Sequence, residues 1–285
     1  MFEGFRLTFV DAGEATIRAR VGGSGPPVLL LHGHPQTHAM WHRVAPVLAE
    51  NFTVVAADLR GYGQSSKPPT APDHEPYSKR AMARDQVAVM RGLGFERFSV
   101  AGHDRGGRCA YRLALDHPDR VEKLAVLDIV PTLEMWRRAD MEFGLVNWHW
   151  YFLAQPHPFP EEVIGCNPDA YYFHNYDRFD PEALEDYLEA VRNPATVHAM
   201  CEDYRAGATF DRALDERDFA ARGKSRCPVL ALWSGRDELE EWFDVLEVWR
   251  RWADDVSAKP IDAGHFLAEE APGEVAEELR AFFSE

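Results

Sequence analysis

Within Gly102-His103-Asp104-Arg105-Gly106-Gly107-Arg108 the chain gathers a carboxylate, two guanidinium groups and three glycines. The stretch follows the strand-like run Phe98-Ser99-Val100-Ala101 and precedes a helix-like segment at Arg112-Leu113-Ala114-Leu115. A strand, a tight glycine turn and a helix in this order form the nucleophile elbow, G-x-Nu-x-G, which lifts one side chain clear of the backbone. Asp104 occupies the position where a serine often stands. A serine alkoxide attacks carbonyls, whereas a carboxylate displaces a leaving group from saturated carbon and becomes an alkyl ester. Arg105 and Arg108 offer planar forks that match a carboxylate. As surface cations at a helix N-terminus they would oppose the helix dipole, so a bound anion accounts for them better. The chemistry suggested is substitution at carbon on a small anionic substrate.

An aspartyl ester needs a water-activating base, and the expected chain order is nucleophile, acid, histidine. Asp128 follows the apolar run Leu124-Ala125-Val126-Leu127, and His265 lies in Ala263-Gly264-His265-Phe266. His265 is read as the base, with an acid fixing its tautomer. Asp237, in Ser234-Gly235-Arg236-Asp237, is the competing candidate for the acid. The turn Leu31-His32-Gly33-His34-Pro35-Gln36 is expected to present backbone N–H groups, so the amides of His34 and Arg105 are candidates for an oxyanion hole. His32, His34 and His38 also spell H-x-H-x3-H, but no Asp or Cys completes a metal cluster nearby, and Gly33 and Pro35 fit a tight turn. No metal is expected.

These residues need a scaffold that brings strand ends together. Val28–Leu31, Thr53–Ala57, Phe98–Ala101, Leu124–Leu127 and Val229–Leu232 are short, continuously apolar runs that read as strands buried on both faces. Residues 5–21 read as two strands around Asp11-Ala12-Gly13. Helical patterns at 78–92, 107–117 and 268–284 alternate with the runs and argue for a mostly parallel α/β sheet. The alternation stops after Pro131. Residues 132 to about 215 are rich in aromatics and prolines, with helical signals at 133–146, 181–192 and 195–205. The expected organisation is a core formed by 1–131 and 216–285 with a helical cap at 132–215, enclosing a pocket between them.

With 285 residues, 46% of them hydrophobic, the chain suits one large domain with an insertion. Its net charge of −16 argues against nucleic acid or an anionic membrane surface as partner, and means that an anionic ligand needs local cations. The four cysteines have no metal-ligand or framework spacing, which fits free thiols in a reducing compartment. No apolar stretch approaches the roughly 20 residues that span a bilayer, and no signal peptide is apparent, so a cytoplasmic location is expected.

Together, His32-Gly33-His34-Pro35, Gly102–Arg108, Leu127-Asp128-Ile129-Val130-Pro131-Thr132, Trp148-His149-Trp150-Tyr151 and Gly264-His265-Phe266 resemble the haloacetate (fluoroacetate) dehalogenases of the α/β-hydrolase fold. The resemblance spans nearly the whole chain. Asp-Arg-Gly-Gly-Arg and His-Trp-Tyr are its specific elements. It implies Asp104 as nucleophile, His265 as base and Asp128, rather than Asp237, as the acid. It implies Arg105 and Arg108 on the substrate carboxylate, and His149, Trp150 and Tyr204 as donors to the departing halide, roles that suit an imidazole, an indole and a phenol. It implies no cofactor, a 2-haloacetate substrate released as glycolate, and a homodimer. Two departures stand out. Position 34 is His where phenylalanine is common, and Tyr171–Tyr176 looks shorter than in relatives and lacks their pocket-lining tryptophan.

Two other functions compete. An epoxide hydrolase of the same fold also uses an aspartate elbow, with tyrosines such as Tyr204 protonating the epoxide oxygen. A non-catalytic ligand receptor of the same fold would not need His265. Haloalkane dehalogenases share the elbow too, but a neutral haloalkane would leave the desolvation of two arginines uncompensated.

Overall fold

The computed structural model describes residues 1–174 and 176–285. Asn175, within the stretch read above as departing from the relatives, lies outside the described residues. The apolar runs become the strands of one eight-stranded sheet. They are β1 (Arg6–Asp11), β2 (Thr16–Gly23), β3 (Pro27–Leu31), β4 (Thr53–Ala57), β5 (Phe98–His103), β6 (Val121–Leu127), β7 (Val229–Ser234) and β8 (Val256–Ile261). The spatial order is β1-β2-β4-β3-β5-β6-β7-β8. β2 pairs antiparallel with β1 and β4, and the other neighbours are parallel. Every residue of β5 is buried because helices cover both faces, which is why these strands read as unbroken apolar runs. β8 is different. It pairs only with β7 at the sheet edge, carries Lys259 and Pro260, and does not stand out by apolar continuity.

Parallel pairing puts the strand C-termini side by side. Leu31 is in register with Gly102, His103 with Leu127, and Ser234 with Ile261. The segments that leave these ends carry His34, Asp104, Asp128, Asp237 and His265, so residues far apart in sequence meet along one edge.

Between β6 and β7 the described residues contain helices and no strand. The prolines of this segment start helices instead of breaking them. Asp180 before Pro181 and Asn193 before Pro194 each accept a backbone N–H of the first turn (3.0 Å in both). A proline just inside such a cap forgoes only an N–H that has no helical partner. The helical signal at 133–146 divides at Asp140, whose carboxylate caps a second helix by accepting from Phe143 N at 3.0 Å. His149 and Trp150 lie on helix Trp148–Leu153, and Tyr204 on helix Pro194–Ala206.

Candidate active site

Asp104 joins β5 to helix Arg105–Asp116 with φ 45° and ψ −116°, a conformation that costs a non-glycine residue on the order of 1–3 kcal/mol. The flanking glycines make the turn possible. A Cβ on Gly102 would lie 2.4 Å from Gly106 O, and one on Gly106 would lie 2.3 Å from His32 O. The turn places Asp104 Oδ1 against the His34 backbone N–H, which donates to it at 2.8 Å. Burial by itself would raise the Asp104 pKa. The charges of His265, His103, Arg105 and Arg108 outweigh that and hold the carboxyl well below the usual carboxylate range. Asp104 is therefore ionised at neutral pH.

His265 Nδ1–H donates to Asp128 Oδ2 at 2.5 Å. The other oxygen of Asp128 accepts from Ser234 N at 2.8 Å, so the carboxylate is fixed at both ends. Asp128 itself has φ 53°, a second strained position at a strand end. Asp237 does not pair with His265. Its amide donates to Ser234 Oγ at 3.0 Å, and its carboxyl, raised by burial and by the charge of Asp128, lines the cavity beside them. Of the two candidate acids, the geometry puts Asp128 on the imidazole. Burial would lower the His265 pKa, but the hydrogen bond and charge of Asp128, with Asp104 and Asp237, push it up to about 9.

Both arginines are buried beside Asp104, but only Arg108 keeps one edge of its guanidinium, Nε with Nη2, without a partner among the described residues. Arg105 Nε and Nη2 donate to the two oxygens of Asp203 at 3.0 and 2.6 Å. Lys79 Nζ binds the same carboxylate, and Tyr62 Oη donates to it at 2.7 Å. Arg108 Nη1 donates to Val130 O at 3.0 Å and to Thr132 Oγ1 at 3.3 Å. Arg105 Nη1 and Arg108 Nε remain buried with no partner among the described residues. Burial and the neighbouring Arg105 charge lower the pKa of Arg108. Two adjacent buried cations with unsatisfied N–H groups are costly unless an anion joins them.

His149, Trp150 and Tyr204 form one aromatic wall. Tyr204 lies 5.8 Å from His149 and 6.0 Å from Trp150, centroid to centroid. The Arg108 guanidinium stacks over Trp150 at 4.7 Å and that of Arg105 over Tyr204 at 4.3 Å. Burial drives the His149 pKa down to about 4, so its ring is neutral. His34 packs edge-on to Tyr204 at 5.1 Å, and burial and His149 lower its pKa to about 3. Two cavities meet at Asp104, His149 and His265. One, of about 200 Å³, reaches Arg108, Trp150 and Asp237; the other, of about 240 Å³, reaches His34, Tyr172 and Tyr204.

The alternative cluster of His32, His34 and His38 comes apart. His32 bonds Gly33 O and the Leu59 amide, and His38 pairs with Asp58 at 2.8 Å. Sequence reading missed Asp203 and Ser234. Asp203 sits one residue before Tyr204 in a helix whose sequence resembles an ordinary amphipathic surface, and only the fold shows that it faces Arg105.

The model of the α/β hydrolase fold family matches residues 26–272. A fluoroacetate dehalogenase of Burkholderia sp is 50% identical over all of this chain and 96% of its own length. The chain belongs to the haloacetate dehalogenase family of the α/β-hydrolase fold. As a haloacetate dehalogenase family member it is a hydrolase. The crystal structure of ALR0039 from Nostoc sp PCC 7120, described as an α/β hydrolase, superposes with a TM-score of 0.97 at 52% identity, covering 100% of this chain and 99% of that one. The family's neighbourhood is wider than one reaction. A soluble epoxide hydrolase of Corynebacterium sp. (strain C12) is 32% identical over 100% of this chain and 96% of its own length.

Proposed function

We propose that this chain hydrolyses 2-haloacetates to glycolate and halide through an ester on Asp104. The observation that carries this reading is the pair of buried guanidinium groups with unpartnered N–H donors, Arg105 Nη1 and Arg108 Nε, beside an ionised aspartate on the elbow. A substrate carboxylate satisfies both donors and offsets the repulsion between the cations.

In the first step Asp104 Oδ2, the oxygen not held by the His34 amide, attacks C2 of the substrate. The carbon–halogen bond breaks, and the halide leaves with its electron pair. His149, Trp150 and Tyr204 donate N–H, N–H and O–H to the halide as its charge develops. In the second step His265 takes a proton from water, and the resulting hydroxide adds to the Asp104 carbonyl carbon. The oxyanion forms on Oδ1, where the His34 amide already donates and the Arg105 amide is the second donor. Collapse breaks the Cγ–Oδ2 bond and His265 returns its proton to the departing alkoxide, so glycolate leaves with Oδ2. The water oxygen stays in the Asp104 carboxyl, whose proton goes to solvent with the halide.

Ester formation also prepares the base. In the resting site Asp104 helps to keep His265 protonated. Alkylation neutralises Asp104, the imidazolium loses a counter-charge, and its pKa falls toward the range where it accepts a proton from water.

Segment 132–215 is read as the cap that carries the halide donors and closes the site, with no cofactor or metal needed. Among the described residues no helix is long and apolar enough to cross a membrane. A cytoplasmic homodimer is part of the same reading. The epoxide reading keeps one observation in its favour, the position of Tyr204 on the cavity beside Asp104. Steady-state assays of fluoro-, chloro- and bromoacetate against a neutral terminal epoxide separate the two. Turnover of the acids with little of the epoxide supports the proposal, and the reverse order replaces it with epoxide hydrolysis.

A further inference from the structure

Away from the site, His157, Glu161 and His198 bring three ligand atoms within 4.8 Å of one another. His157 precedes and Glu161 lies on helix Phe159–Gly165, and His198 is on helix Pro194–Ala206. Glu161 Oε1 stands 2.8 Å from His198 Nδ1 and 3.3 Å from His157 Nδ1. Nitrogen and oxygen ligands about 2.1 Å from a cation are about 3.0–3.4 Å apart in octahedral or tetrahedral arrangements. Two edges of a coordination polyhedron are therefore nearly at length.

The charge balance also favours a cation. Arg205 Nη1 donates to Glu161 Oε1 and to Glu202 Oε1, each at 2.8 Å, so two carboxylates share one guanidinium. Glu202 also stands 2.8 Å from His74 Nδ1, and carboxylates outnumber guanidinium groups in the cluster by one. The His157 side chain is 62% exposed, which leaves an open face for water ligands.

We propose that His157 Nδ1, Glu161 Oε1 and His198 Nδ1 bind one late first-row divalent cation, with zinc as the type, that braces helix Phe159–Gly165 against helix Pro194–Ala206. Each imidazole moves its proton to Nε2 and gives its Nδ1 lone pair to the ion. Two imidazoles and one carboxylate select zinc over magnesium or calcium, which take oxygen ligands. The second helix also carries Asp203 and Tyr204, so the brace would stiffen one wall of the active site without touching the reacting atoms.

The test is calorimetric titration of the chelator-stripped full-length chain with zinc chloride. Wild type is compared with His157→Ala, His198→Ala and the double variant, with unfolding temperature followed in parallel. Wild type should take up one equivalent and gain thermal stability. Each single variant should bind roughly tenfold or more weakly, and the double variant should show neither uptake nor the thermal gain. His157 is largely solvent-exposed, so its variant keeps the fold and the comparison stays decisive. Absence of uptake by wild type, undiminished uptake by the double variant, or equal binding of magnesium would each overturn the proposal.

Discussion

Asp203 holds Arg105 through Nε at 3.0 Å and Nη2 at 2.6 Å, and leaves one nitrogen of the Arg105 guanidinium, Nη1, buried without a partner among the described residues. The two guanidinium groups beside Asp104 are therefore held asymmetrically. Arg105 is paired with Asp203, while Arg108, held by Val130 O, Thr132 and the face of Trp150, has no carboxylate on its hydrogen-bonding nitrogens and only the charge of Asp104 nearby.

This asymmetry separates stability from binding. Asp203→Asn leaves Lys79 and Arg105 buried without their anion and should lower unfolding free energy by about 3–5 kcal/mol in urea titrations. Arg108→Met removes a cation that no carboxylate hydrogen-bonds in the resting protein, and should shift the urea midpoint far less than Asp203→Asn. The same variant should raise KM for haloacetate roughly 10–100-fold, the loss of a charged hydrogen bond of about 1.5–3 kcal/mol.

The two candidate acids should differ sharply. Asp128→Asn removes the acceptor that fixes the His265 tautomer, and turnover should fall by roughly 10³–10⁴-fold. Asp237→Asn, which leaves that hydrogen bond intact, should cost about tenfold at most, through the small change in the field on His265. Halide release under saturating chloroacetate reads both.

The pH dependence follows from His265. Its resting pKa of about 9 keeps it protonated at neutral pH, and ester hydrolysis needs the neutral ring. Activity limited by hydrolysis should therefore rise with pH through the pKa of the ester form and level off below 9, because Asp104 no longer contributes its charge. Alkylation needs only ionised Asp104, whose carboxyl lies well below the usual range. The pre-steady-state halide burst should therefore stay constant over the neutral range where kcat rises.

On the proposed mechanism, the wall of His149, Trp150 and Tyr204 should matter most for the poorest leaving group. Trp150→Phe removes one N–H donor while keeping an aromatic ring against Arg108 and Tyr204. Fluoroacetate turnover should fall by roughly 10²-fold, and bromoacetate turnover by much less, in a direct comparison of halide release.

The sheet interior and the elbow were legible because each obeys a local rule. Runs such as Val28–Leu31 are continuously apolar, and the glycines around Asp104 permit close backbone contacts. Chain order gave His265, and two acids stayed open until the fold put Asp128, not Asp237, on its ring. That Asp203 takes the fork of Arg105 was not legible in this way, because Asp203 is distant in sequence and carries no local signature of facing inward. β8 escaped notice because an edge strand with Lys259 and Pro260 lacks the apolar continuity of its neighbours.

The central claim is that the Asp104 carboxylate attacks the carbon bearing the halogen. His265→Asn should perform that step and then stall. Intact-mass and peptide mass spectrometry of this variant after chloroacetate should show one carboxymethyl group per chain, located on Asp104, with one equivalent of chloride released. An unmodified Asp104 together with no chloride release, or a carboxymethyl group on another residue, would contradict it.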